Sequence, residues 1–127
     1  MRIRLETDAF YLILQHIKDG HYIMIASPVH LREVAEIEDP RERIEVLGLL
    51  HRYGIIPSCN FSEVRKRADH LHAQRLGVAD AAHIAVAEAT ADVVITCDDQ
   101  LLRRCRRLAV QVQVMNPLDF CQGEDLR

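Results

Sequence analysis

Three acidic residues, Glu33, Asp80 and Asp98, stand at comparable places in the chain. Glu33 lies about one and a half turns into a helix predicted to leave the apolar run Tyr22–Ala26. Asp80 opens a run of small apolar residues, and Asp98 follows directly on Val93-Val-Ile-Thr96. Carboxylates pressed together repel; they stay ionised at neutral pH only with a cation between them, or their pKa values rise. A hard divalent ion such as Mg²⁺ or Mn²⁺ takes oxygen ligands and bridges to a phosphate. If the three meet, the chemistry they suit is metal-assisted hydrolysis of a phosphodiester. Taken singly they have simpler roles. Asp80 and Asp98 or Asp99 suit helix N-caps, contributing about 1 kcal/mol each, and Glu33 suits a solvated helix face. Convergence on one crevice distinguishes the two readings.

The elements that must position these residues alternate. Apolar spacing predicts an amphipathic helix over residues 6–19, stopped at Gly20. Tyr22–Ala26 predicts a strand apolar on both faces, the pattern of a strand covered by helices. Ser27-Pro28 and Asp39-Pro40 are helix starts, the first running to about Ile37 and the second to Tyr53 before Gly54. Ile55-Ile56 reads as a very short strand. A charged helix over 62–76 ends at Gly77, and the small residues Ala81–Ala91 predict a closely packed helix. Asp92–Thr96 is a second two-sided strand. A helix capped by Asp98 or Asp99 runs to about Leu108 with Leu101, Cys105 and Leu108 inward, and Val110–Met115 is a third strand, ended by Asn116-Pro117. The fold class is α/β, a three-layer α/β/α domain with a mostly parallel sheet. In such a fold the crevice at the carboxyl ends of the strands is the ligand site.

Length and composition bound the rest. The 127 residues suit one domain, and 49% hydrophobic residues supply a globular core. The net charge of −3 argues against a globally basic nucleic-acid binder, so any anion-binding surface is local. Arg103, Arg104, Arg106 and Arg107 form such a surface, suited to RNA phosphates or equally to a solvated helix end. Four cysteines without a CxxC pair fit small hydrophobes in a reducing cytoplasm, and seven histidines without HExxH give no zinc signature. The five glycines form no phosphate-binding loop. No apolar run reaches membrane-spanning length.

The block Asp80-Ala-Ala-His-Ile-Ala85, Ala91-Asp-Val-Val-Ile-Thr96-Cys-Asp98-Asp99 and Val112-Gln-Val-Met-Asn116-Pro117 resembles the C-terminal half of PIN domains. These are nucleases that include the VapC-type toxins. Upstream, Ile25-Ala-Ser27-Pro-Val-His-Leu-Arg-Glu33 looks like the family's second strand, serine and glutamate-bearing helix, so the likeness spans roughly residues 6–120. The resemblance implies a metal-dependent endoribonuclease using Mg²⁺ or Mn²⁺, with Glu33, Asp80 and Asp98 as catalytic, metal-binding acids. Asp99 replaces Asp98 if the register slips by one, and Thr96 and His83 support the site. It further implies an RNA substrate, an antitoxin protein as partner and a cytoplasmic setting.

The departure lies at the front. PIN domains open with a central strand ending in the first metal-binding Asp. Forcing Met1–Asp8 onto that strand, with Glu6 for the Asp, would place Arg2 and Arg4 beneath helices. Glu6 then precedes Glu33 by only 27 positions. Arg2–Ala9 fits better as part of the segment that follows the first strand. The expectation is a single PIN-like domain over residues 1–127, N-terminally truncated and weak or inactive as a nuclease. Its open sheet edges would favour a homodimer or strand swapping. The alternative function is an inactive PIN-like module that binds protein or RNA.

Overall fold

A computed structural model describes the backbone of residues 2–127, with side chains from Leu5 onward. The elements run α1 (Arg2–Lys18), β1 (Met24–Ile25), α2 (Pro28–Ala35), α3 (Pro40–Tyr53), β2 (Gly54–Ile55) and α4 (Phe61–Ala73). They continue α5 (Val78–Thr90), β3 (Val93–Ile95), α6 (Asp99–Leu108), β4 (Gln113–Met115) and α7 (Pro117–Gly123). The α/β class and the parallel pairing agree with the sequence.

The strands form two pairs, β1 with β2 and β3 with β4, both parallel. Among the described residues no strand joins them, and residues 2–8 lie in α1, which excludes a strand there. Residue 1 lies outside the described residues. With one partner each, β1 and β3 are shorter than their apolar runs. Ile23, expected inside a covered strand, is 70% exposed. An apolar run therefore marks the capacity to be covered, and the ladder extends only where a partner backbone accepts it.

Helix starts follow local chemistry. Ser27 caps α2 and Pro28 is its first residue; Asp39, Asn60, Asp98 and Asn116 cap α3, α4, α6 and α7 through side-chain oxygens. Asn116-Pro117, read from sequence only as a strand end, repeats the Ser27-Pro28 signal and opens α7. Phe120 of α7 is buried, as are Ala9, Ile13 and Leu14 of α1, and the two helices pack together.

The main core lies in the second half of the chain. Leu71, Leu76, Ile84, Ala85, Leu101, Cys105 and Val112 form one buried cluster. The helical hairpin α4–α5 is its largest part, and the small residues of α5 permit the close approach. An ion pair staples the hairpin. Arg67 grips Glu88 with two hydrogen bonds of 2.7 and 3.1 Å, and the Glu88 side chain is 6% exposed. The same carboxylate accepts the Gln111 backbone N–H at 2.6 Å, tying the approach to β4 onto the hairpin. Among the described residues no disulfide joins the four cysteines, and only Cys105 is buried; Cys97 is exposed, which departs from four buried hydrophobes.

Candidate active site

The site is built from the helices that leave the strands. At the end of β1, Ser27 is fully buried and its hydroxyl accepts the His30 backbone N–H at 3.3 Å. His30 completes the reciprocal half of the cap, its Nδ1 accepting the Ser27 N–H at 3.0 Å. That bond leaves the imidazole proton on Nε2. Burial, and next the neighbouring His83, hold the His30 pKa below its usual value.

Glu33 follows one turn after His30 on α2. Its Oε1 accepts from Nε2 of His83 on α5 at 2.7 Å, and its side chain is 49% exposed. The other nitrogen of His83, Nδ1, is buried with no hydrogen-bond partner. The His30 and His83 rings stand 4.4 Å apart, centroid to centroid. A seam of Ser27, His30, His83 and Glu33 thus runs between α2 and α5.

Asp80 shares the His83 face of α5, three residues earlier. Its capping role is excluded: Gly77 occupies the N-cap without a side-chain hydrogen bond, so Asp80 stands inside the first turn. It is partly exposed and free of that local duty. Asp98, in contrast, is a cap. Its Oδ1 accepts the Leu101 N–H at 3.1 Å, and its own N–H donates to the Thr96 hydroxyl at 3.1 Å. The Thr96 N–H donates to the Met115 carbonyl at 2.9 Å, which fixes the exit of β3 against β4. Asp99 falls in the first turn of α6, one residue beyond the capping Asp98.

The structure therefore brings Glu33 to His83, on the helix face that carries Asp80, and leaves Asp98 at the neighbouring strand exit. The donors are all oxygens, as Mg²⁺ or Mn²⁺ would require. Their placement does not match: among the described residues no group of three His, Cys, Asp or Glu side chains converges to hold a metal ion. Arg103, Arg106 and Arg107 are exposed along α6 and Arg104 is half-buried, one or two turns beyond Asp98. Sequence reading passed over Ser27 and His30 as a polar pair. The signal was the spacing Ser-x-x-His, a capping-box pattern with histidine where Glu or Gln is usual.

A family model of the PIN domain matches residues 22–107, a span that runs from β1 to the end of α6. The chain belongs to the PIN-domain family. Neither the curated proteins nor the solved structures gave a match. The matched span contains Glu33, Asp80 and Asp98 in order, and it excludes α1 and α7, the two helices that pack on each other outside it. The PIN family is one of nucleases. Among the described residues no helix is long and apolar enough to cross a membrane.

Proposed function

We propose that this PIN domain hydrolyses RNA phosphodiesters in the manner of a VapC-type endoribonuclease, with Glu33, Asp80 and Asp98 as its working acids and Mg²⁺ or Mn²⁺ as the cofactor that must draw them together. The observation that carries the reading is the 2.7 Å contact from His83 to Glu33, which sets the α2 carboxylate beside the α5 face bearing Asp80. The arginines of α6 supply a cationic approach for the phosphate backbone despite the negative overall charge. With three acids that do not converge, hydrolysis is slow in the isolated chain.

The test is cleavage of a structured RNA across a Mg²⁺ and Mn²⁺ titration, comparing the native chain with Asp80→Asn. Metal-dependent cleavage that the substitution lowers at least a hundredfold supports the reading; cleavage that survives it overturns the assignment. One observation favours a second reading. The same lack of convergence suits an inactive PIN-like module that binds RNA or an antitoxin-like protein. That module would retain salt-sensitive RNA binding with no cleavage at any metal concentration.

A further inference from the structure

His16 and His21 close the C-terminal end of α1, outside the matched PIN span. Their Nδ1 atoms face each other at 2.9 Å, with ring centroids 5.1 Å apart. The backbone beneath them is rigidly turned. The His21 N–H donates to the His16 carbonyl at 2.9 Å and the Gly20 N–H to the Ile17 carbonyl at 3.1 Å, with Gly20 at φ +83°. This six-to-one, five-to-two pattern is a Schellman turn, and it fixes the two histidine Cα positions relative to one another. The His16 ring is also packed against Tyr22 at 6.2 Å; Tyr22 in turn rests on Phe120 at 5.3 Å and donates its hydroxyl to Glu124 at 3.1 Å.

Two facing imidazole nitrogens share one proton, so at least one must present a lone pair to the other. We infer that His16 and His21 form a two-nitrogen site for a borderline transition-metal ion, Cu²⁺ or Ni²⁺, with water filling the remaining positions. Imidazole nitrogens suit Cu²⁺ and Ni²⁺, which stand high in the affinity order of the first-row divalent ions. The 2.9 Å separation is that of an Nδ1–H···Nδ1 hydrogen bond, close enough for one ion with bonds of about 2.0–2.1 Å to take both nitrogens once the rings turn. Hard Mg²⁺ prefers oxygen and does not compete. The surroundings favour a cation: the carbonyl end of α1 carries partial negative charge, and Asp19 stands in the same turn. On binding, whichever imidazole holds its proton on Nδ1 moves it to Nε2, and both Nδ1 lone pairs turn to the ion.

The test is calorimetric titration of the full chain with Ni²⁺ in the presence of excess Mg²⁺, for the native protein, His16→Ala and His21→Ala. One ion per chain is expected, with affinity lowered at least tenfold by either substitution. Electron paramagnetic resonance of the Cu²⁺ form supplies a second readout: two bound nitrogens in the native chain and fewer in each variant. His21 is exposed and His16 half-buried, so retained helix content is checked in each variant by circular dichroism. Equal affinities for native and variant chains, absence of binding, or a Cu²⁺ spectrum unchanged by either substitution would overturn the site.

Discussion

At the scale of single residues, His30 carries the clearest pH dependence. Burial and the adjacent His83 lower its folded-state pKa below the unfolded value of about 6.5. Between those two values the unfolded chain binds a proton that the folded chain refuses. Stability is therefore complete above about pH 6.5 and declines as pH falls toward the lowered folded value. His30→Gln places glutamine at the third helical position and restores the common capping-box pair with Ser27. Urea midpoints from pH 7 to pH 5 should fall less steeply in that variant than in the native chain; equal slopes would show that another group titrates. For catalysis, Glu33→Gln is expected to reduce cleavage as strongly as Asp80→Asn. Asp98→Asn should reduce cleavage while leaving stability nearly unchanged, because asparagine caps as well as aspartate. Measuring melting temperature beside cleavage separates those two duties.

At the scale of elements, the α4–α5 hairpin depends on its staple. Burial raises the Glu88 pKa, but the Arg67 hydrogen bonds and the Gln111 N–H outweigh it and lower the net value. The stability this gives is present above about pH 4.3 and is lost as pH falls through the depressed folded value. Arg67→Met strands a nearly buried carboxylate, with a cost of about 2–3 kcal/mol in denaturant unfolding. A cost below about 0.5 kcal/mol would mean that water replaces the guanidinium. Gly20→Ala tests the turn after α1. No atom lies within 4 Å of the added methyl, so its cost is the left-handed backbone alone, about 1 kcal/mol. Most elements could be read from the chain because caps and periodicity are local. Asp39-Pro40 and Gly54 bracket α3 at the bounds observed, Pro40–Tyr53. The strand lengths could not, because ladder length is set by partners distant in sequence. Glu33 and Asp80 were visible as acids at helix starts, but the contact that brings Glu33 to His83 on α5 spans 50 residues and has no sequence signature. Arg67, one charge among several on the helix predicted over 62–76, reaches Glu88 across the hairpin, a contact equally without a sequence signature.

At the scale of the whole molecule, two parallel pairs leave backbone edges at β1 and β3. Exposed Ile23 at 70%, Ile55 at 50% and Ile56 at 68% line the first pair. Such edges recruit a further strand. Sedimentation velocity should show concentration-dependent self-association, reduced by Ile23→Lys; a strictly monomeric native chain at high concentration would contradict it.

The buried cluster is drawn from residues 71–112, whereas α3 contributes no buried residue at all. Cohesion is therefore lopsided. Amide protons of α4 and α5 should exchange with deuterium only through global opening, while those of α3 and the β1–β2 pair leave by smaller, cheaper fluctuations. Glu33 thus rides on the looser portion and Asp80 on the tighter one, and the distance between these two acids breathes each time the softer part detaches.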